Sequence, residues 1–159
     1  SDAPPWFADQ YVRLGPALAS SLEDARSLLA FGRGEIRKDT VYLEDLLAEL
    51  RTPEVAVELD AAAETVTADA ALLRVALRAL ADEVRSRAGG NTAPLAIRVG
   101  AWTDGVRVSV RARGAAVSAG AAPGAGLGLG LARRIAEMHG GTLEDAVATG
   151  EIVLSLPVA

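Results

Sequence analysis

The segment Gly124-Ala125-Gly126-Leu127-Gly128-Leu129-Gly130-Leu131 places a glycine at every second position and then continues as a helical pattern. Glycine allows backbone N–H groups to approach a ligand closely, and a helix N-terminus adds partial positive charge. The segment is therefore a candidate phosphate-binding turn. A flexible loop before a helix explains the glycines equally well. A dinucleotide-binding fold is disfavoured because no predicted strand directly precedes them.

Apolar periodicity on both sides of this segment predicts a mixed α/β domain. One helix is predicted to follow the N-cap Asp69 and to run to about Arg87. Its apolar face consists of Leu73, Leu77, Leu80 and Val84. Strands are predicted at residues 55–59, 65–67, 95–102, 106–112, 141–147 and 151–157, and further helices at residues 42–50 and 127–139. This order predicts an α/β (α+β) two-layer sandwich, with helices on one face of a mixed sheet.

The N-terminal region has a different pattern. Residues 6–37 carry apolar side chains mostly at three- and four-residue steps, which predicts a helix. Gly32 and Gly34 mark the end of that helix, and the charged residues 35–39 read as a linker. The apolar stripe from Leu18 to Leu29 needs a partner, so it is a candidate contact surface.

The glycine segment and the sequence after it, L-A-R-R-I-A-E-M-H-G-G-T-L, closely resemble the second glycine box and C-terminal end of the ATP-binding domain of two-component sensor histidine kinases. The resemblance covers roughly residues 42–158 and implies a Bergerat-type domain of the GHKL superfamily. It also implies that the nucleotide contacts are Gly114, Gly124, Gly126, Leu127 and Gly128. Residues 1–38 then resemble the family's helical dimerisation and phosphotransfer segment, and residues 39–159 its ATPase-like domain.

The helix after Asp69 departs from the family pattern. In the family this helix carries two asparagines one turn apart, and the second coordinates the Mg²⁺ that bridges the phosphates; here the two positions are Ala79 and Glu83. Glu83 is a candidate oxygen ligand for the metal only if a nucleotide binds. Its negative charge would repel a triphosphate unless the metal lies between the two. The other interpretation is a solvated helix residue.

The first glycine box also departs from the pattern. The family has D-x-G-x-G, in which the aspartate accepts the adenine amino proton, whereas the matching positions here are Ala112, Gly114 and Ala116. An unpaired adenine amine in a buried pocket costs about 1–3 kcal/mol, so adenine selectivity is expected to be lost. The lid between Gly114 and Gly124 is short and consists of small, mostly apolar residues.

The family's phosphoacceptor histidine has no counterpart in the N-terminal helix. The sequence contains a single histidine, His139, in the H-G-G motif at a predicted helix end, where we expect a capping or packing role. If residues 11–18 are a worn phosphoacceptor box, Tyr11 stands at the histidine position; a plain helix start is the favoured interpretation.

Composition excludes several other classes of function. With no cysteine and one histidine, the 159-residue chain offers no thiolate or histidine-rich metal site. The net charge of −5 and the absence of a basic stripe argue against nucleic-acid binding, and Arg111 and Arg113 fit a solvated strand face. No apolar run approaches the roughly 18 residues of a membrane span, so we expect no membrane segment here and a cytoplasmic location.

Together these patterns predict a degenerate histidine-kinase-like module, a pseudokinase, with weak or absent ATP binding and no expected cofactor. Its partner would be a response regulator or kinase, or a second copy bound through the N-terminal helix. The alternative is a divergent but active catalytic domain that binds Mg-ATP and phosphorylates a histidine in trans. A third interpretation is a helical dimerisation domain with an inert α/β cap.

Overall fold

A computed structural model describes residues 22, 25–88, 93–102, 105–113, 126–146 and 150–157 of the chain. The chain divides into two compact units, Ser1–Ile36 and Arg37–Ala159. Within the described residues, no helix is both long enough and apolar enough to cross a membrane.

The first unit contains helix α1, which is described at residue 22 and over residues 25–32. Two hydrogen bonds close its C-terminus, from Gly34 N–H to the Phe31 carbonyl and from Glu35 N–H to the Ala30 carbonyl, both 2.9 Å. This pairing is a Schellman motif, in which glycine supplies the left-handed residue. The predicted extension of the helix to residue 37 is therefore wrong. The predicted helix over residues 6–21 lies outside the described residues.

The second unit is an α/β domain. Its strands are β1 (Asp39–Tyr42), β2 (Val55–Leu59), β3 (Thr65–Ala68), β4 (Leu95–Trp102), β5 (Gly105–Ala112), β6 (Thr142–Ala146) and β7 (Glu151–Pro157). Its helices are α2 (Leu43–Ala48), α3 (Ala70–Arg87) and α4 (Gly126–Met138), with a 3-10 turn at Ala61–Ala63. The sequence predicted all of these elements except β1 and the 3-10 turn. β1 begins at Asp39, the last residue of the predicted linker, and ends at Tyr42, which was predicted to begin the next helix. The strand pairs antiparallel with β3 and places Val41 opposite Val66.

The main sheet has five strands in the order β2-β4-β5-β7-β6. β2 pairs in parallel with β4, and the other neighbours are antiparallel. Val99, Val108 and Leu154 lie in register on three adjacent strands, and all three are buried. Because strand side chains alternate between faces, this row lines one side of the sheet and leaves Arg98, Arg107 and other polar residues on the opposite side.

Helices α3 and α4 supply the second layer of the core. Four leucines of α3 and Ile135 of α4 are almost completely buried; the leucines are Leu72, Leu73, Leu77 and Leu80. Burying one such side chain contributes about 1.5–3 kcal/mol of transfer free energy. The predicted two-layer sandwich with one mixed sheet is therefore confirmed.

Candidate functional site

The N-terminus of α3 is fixed by Asp69, as the sequence predicted. Asp69 Oδ1 accepts a hydrogen bond from Leu72 N–H at 3.2 Å, and Oδ2 accepts one from Arg37 N–H at 3.1 Å. The side chain is buried. It therefore satisfies one of the free backbone donors of the first helical turn. It also connects the backbone just before β1 to the start of the helix.

His139 joins the beginning of α3 to the end of α4. Its Nε2 accepts a hydrogen bond from Asp69 N–H at 2.9 Å, and its Nδ1 donates to the Ile135 carbonyl at 2.7 Å. One nitrogen must be an acceptor and the other a donor, which defines the neutral tautomer with the proton on Nδ1. Because the ring is buried and both nitrogens are occupied, His139 has the packing role predicted for it.

The two glycines of the H-G-G motif also have structural roles. Gly140 has a φ of +76°, and its N–H bonds to Glu137 while the N–H of Gly141 bonds to Ala136, which forms a Schellman motif. A Cβ on Gly141 would lie 2.0 Å from the Ser155 carbonyl oxygen. The motif that carried much of the family resemblance therefore serves helix termination and close backbone packing.

A cavity of about 380 Å³ lies between α3 and the start of α4. The residues that line this cavity are Val75, Arg78, Ala79, Asp82, Glu83, Ser86 and Gly128. Its size is within the range of small-molecule sites. A Cβ on Gly128 would lie 3.5 Å from Ala79 Cβ, so the glycine segment faces the helix positions singled out in the sequence.

The structure brings Glu83, Ala79 and Gly128 to this one cavity. Gly126 opens α4, and Leu127 is the next residue of the same helix. Gly114, Ala116 and Gly124 are outside the described residues. Ala112 ends β5 and is half-buried, and its methyl group has no hydrogen-bond acceptor for a base.

Glu83 is part of a buried charge network rather than a solvated residue. It is only 5% exposed, and its Oε1 accepts a hydrogen bond from Arg87 Nε at 3.1 Å. The guanidinium of Arg87 also donates two hydrogen bonds to Asp145, at 2.7 and 2.6 Å. The interpretation of Glu83 as a solvated residue is therefore wrong, because its side chain is buried and Arg87, one turn later, donates a hydrogen bond to it.

The charges in this network stabilise one another. Hydrogen bonds from Arg87 are the main reason that the pKa of Asp145 is lowered, with further contributions from the charges of Arg87 and Arg133. The hydrogen bond to Asp145 is likewise the main reason that the pKa of Arg87 is raised, and Glu83 adds to the effect. The hydrogen-bonded network of Glu83, Arg87 and Asp145 contains two carboxylates and one guanidinium.

The described residues fit a magnesium ion poorly. No group of three or more histidine, aspartate or glutamate side chains in the described part of the chain is placed to hold a metal. Ala79 has no ligand atom, and the carboxylate of Glu83 is already bonded to Arg87. Mg²⁺ is usually held by one or two carboxylates together with several of its own waters.

Sequence reasoning did not find Arg87 and Asp145. The four-residue spacing of Glu83 and Arg87 was a usable signal, since such pairs meet on a helix surface. Asp145 is 58 positions away from Arg87 and becomes its partner only through the tertiary fold. Arg111 and Arg113 are exposed, as predicted for a solvated strand face.

No model of a protein family matches the sequence, and no curated protein matches it. Solved structures of histidine kinases do match the fold. Histidine kinase AdeS of Acinetobacter baumannii is 16% identical with a TM-score of 0.59, over 99% of this chain and 87% of that chain. The nucleotide-free catalytic domain of histidine kinase ThkA is 21% identical with a TM-score of 0.60, over 77% of this chain and 97% of that chain.

The ATP binding domain of PrrB from Mycobacterium tuberculosis is also similar, at 25% identity and a TM-score of 0.52, over 77% of this chain and 98% of that chain. The second unit of the protein therefore has the fold of a histidine-kinase catalytic domain. This confirms the predicted Bergerat-type, GHKL-like architecture. At these identities the similarity defines the fold, whereas function depends on the residues that line the site.

Proposed function

We propose that this chain is a pseudokinase, a degenerate histidine-kinase-like module of a two-component system that acts by binding a partner or dimerising. The observation that carries the proposal is the state of Glu83 at the cavity wall. Its carboxylate is buried and bonded to Arg87, and its neighbour one turn earlier is Ala79. Ala79 therefore offers no oxygen ligand, and a metal ion at Glu83 would have to compete with the guanidinium of Arg87.

The electrostatics of the cavity support weak or absent nucleotide binding. Asp82 and Glu83 both line the cavity, and Arg78 is the cation on the same wall. Arg87 is held between Glu83 and Asp145, so its charge is already neutralised. A triphosphate entering this cavity would meet carboxylates without a metal between them, which is unfavourable.

The state of the single histidine supports the same proposal. His139 is buried, and both ring nitrogens are hydrogen-bonded to the backbone of α3 and α4. A histidine that accepts a phosphoryl group needs a free, accessible nitrogen. His139 therefore cannot serve as a phosphoryl acceptor. ATP-dependent phosphotransfer would need a histidine outside these 159 residues.

The apolar stripe of the N-terminal unit is the proposed partner surface. Leu22 is 56% exposed and Leu29 is 67% exposed on α1, although both are large apolar side chains. Exposed apolar residues grouped on a helix are typical of docking surfaces. A response regulator, a kinase or a second copy of this chain, in the cytoplasm, would bury this stripe.

The alternative proposal is an active catalytic domain. It is favoured by the position of Gly128, which lies close to Ala79 at the cavity wall, near the start of α4. In this case Gly114, Gly124, Gly126, Leu127 and Gly128 would bind the phosphates of ATP, and Glu83 would hold Mg²⁺ after leaving Arg87. The phosphoryl group would be transferred to a histidine in trans.

Calorimetric titration with a non-hydrolysable ATP analogue, with and without Mg²⁺, separates the two proposals. The pseudokinase proposal predicts no heat up to millimolar analogue from protein that circular dichroism shows to be folded. Micromolar, magnesium-dependent binding would support the active domain instead. The GTP analogue serves as a control for base selectivity, because Ala112 offers no acceptor for the adenine amine.

The partner surface is tested by Leu29→Glu in the full chain. A charge at Leu29, the most exposed large apolar side chain of the described residues, should shift a dimer to a monomer in light scattering, or abolish capture of the partner. Arg33→Glu is the matched control, because Arg33 is an exposed residue on the same unit whose contact with Glu35 is long, at 3.8 Å. A dimer that persists in Leu29→Glu would contradict the proposal that the apolar stripe is the contact surface. It would also argue against the third interpretation, a helical dimerisation domain with an inert cap.

A further inference from the structure

We propose that Arg87 is the counter-ion of Glu83 at the cavity wall and that this pairing prevents divalent cations from binding to Glu83. This inference rests on the proposed function and adds a residue that determines the ionic specificity of the same cavity. The geometry is direct: one guanidinium donates to Glu83 Oε1 and to both oxygens of Asp145.

Burial makes this arrangement stronger than a surface ion pair. The side chains of Arg87, Glu83 and Asp145 are 12%, 5% and 16% exposed. The guanidinium forms a planar two-point contact with Asp145, the geometry in which arginine binds carboxylates most specifically. Exposed pairs contribute little because water screens them, and these three side chains are largely withdrawn from water.

Asp145 is a positioning residue for Arg87. If Arg87 turned away to admit a metal at Glu83, Asp145 would lose both hydrogen bonds while remaining largely buried. Removing one partner from a buried ion pair is strongly unfavourable, because the remaining charge has no compensation. The strand β6 therefore holds the guanidinium against Glu83, although Asp145 itself is not among the residues that line the cavity.

Charge balance gives the same result. Arg87 offsets part of the negative charge of Glu83 and Asp145, which weakens the attraction of a divalent cation to Glu83. Replacing Arg87 with a neutral side chain leaves both carboxylates without the guanidinium that bonds them. Divalent cations such as Mg²⁺ and Mn²⁺ favour oxygen ligands, and one or two carboxylates with water are a common set for Mg²⁺. The loss of Arg87 should therefore create cation binding.

The test is a titration with Mn²⁺ alone, followed by electron paramagnetic resonance of the free ion, without nucleotide. Arg87→Met should bind Mn²⁺ at least about tenfold more tightly than the wild type, since it removes the positive charge beside Glu83 and frees the carboxylate at the cavity wall. The double variant Arg87→Met with Glu83→Gln should return to the wild-type affinity. A gain that survives Glu83→Gln, or no gain in folded Arg87→Met, would overturn the proposal.

Two further variants keep the test decisive if Arg87→Met does not fold. Arg87→Gln removes the charge but retains a hydrogen-bond donor, and it should show the same gain in Mn²⁺ affinity. Glu83→Gln in the wild-type background should leave Mn²⁺ affinity unchanged, since Arg87 already excludes the ion. A loss of affinity in Glu83→Gln would mean that the wild-type protein uses Glu83 as a metal ligand.

The result is independent of the nucleotide titration. If the wild type binds the ATP analogue with Mg²⁺, the proposed function fails whatever Mn²⁺ alone does. If the wild type binds no nucleotide and Arg87→Met gains no Mn²⁺ affinity, only the role of Arg87 fails. Near-ultraviolet circular dichroism of each variant shows whether its tertiary packing is intact.

Discussion

The two ends of helix α3 use polar groups in different ways. At the N-terminal end, Asp69 and His139 bond almost entirely to backbone N–H and carbonyl groups. At the C-terminal end, Glu83 and Arg87 bond to side chains, in a charge network with Asp145. Backbone groups must be satisfied in any sequence with this fold, whereas side-chain charges can be replaced. The N-terminal, scaffold end of α3 therefore depends on contacts that the fold itself requires, whereas the C-terminal, cavity end depends on which charged side chains the sequence supplies.

The largest effect on stability is expected for His139→Ala. The substitution leaves the Asp69 N–H without its partner, removes the side-chain hydrogen bond to the Ile135 carbonyl, which keeps its bond from the backbone N–H of residue 139, and opens a cavity between α3 and α4. The expected loss is about 3 kcal/mol of unfolding free energy, from unsatisfied buried groups and lost packing. Urea unfolding followed by circular dichroism measures it. A loss below about 1 kcal/mol would mean that water or a neighbouring side chain replaces the ring.

Asp69→Ala is expected to have a smaller effect, of about 2 kcal/mol. It removes the cap of α3 and the hydrogen bond from Arg37 N–H. Asp69→Asn keeps an acceptor oxygen and should lose less than half as much. Asp60→Ala is the control at an exposed cap, where Asp60 accepts only from Ala62 N–H. Equal losses for Asp69→Ala and Asp60→Ala would show that the buried cap of α3 contributes no more to stability than an exposed cap.

Asp145→Asn should destabilise the protein by about 1 kcal/mol at neutral pH, as expected for a partly buried pair. The pKa of Asp145 is lowered below its ordinary value of 3.8, so its contribution to stability is present above about pH 4. That contribution is lost as the pH falls through the folded-state pKa, so the difference between wild type and variant should shrink toward pH 2.

Urea unfolding at pH 7 and at pH 3 or below measures this pH dependence. Asp82→Asn is the matched control, because Asp82 is 78% exposed and its contact with Arg85 is 3.7 Å long. Its stability should change little at either pH. An Asp145→Asn difference that stays constant from pH 7 to pH 2 would show that the charge of Asp145 does not contribute.

Sequence patterns predicted the scaffold end well because its signals are local. The cap Asp69 directly precedes a helix with regular apolar spacing, and the H-G-G motif directly follows one. Strand β1 was missed because only Val41 is buried in its four residues and its partner strand begins at Thr65. The cavity end was only half predicted. Glu83 was singled out, and its pairing with Arg87 is local to the helix, but the bond from Arg87 to Asp145 depends on tertiary contact between α3 and β6.

The smallest effect is expected for two glycines of α4, and it tests the cavity end directly. A Cβ on Gly130 meets no heavy atom within 4 Å, so Gly130→Ala should stabilise the protein by about 0.5–1 kcal/mol through helix propensity. A Cβ on Gly128 makes an ordinary 3.5 Å contact with Ala79 Cβ, so Gly128→Ala should also be stabilising, although less because it lies in the first turn. Thermal unfolding measures both.

If glycine at 128 is required for a ligand to approach, Gly128→Ala lowers nucleotide affinity while Gly130→Ala does not. Equal, unmeasurable affinities in both variants and the wild type would instead fit a cavity end that no longer binds nucleotide.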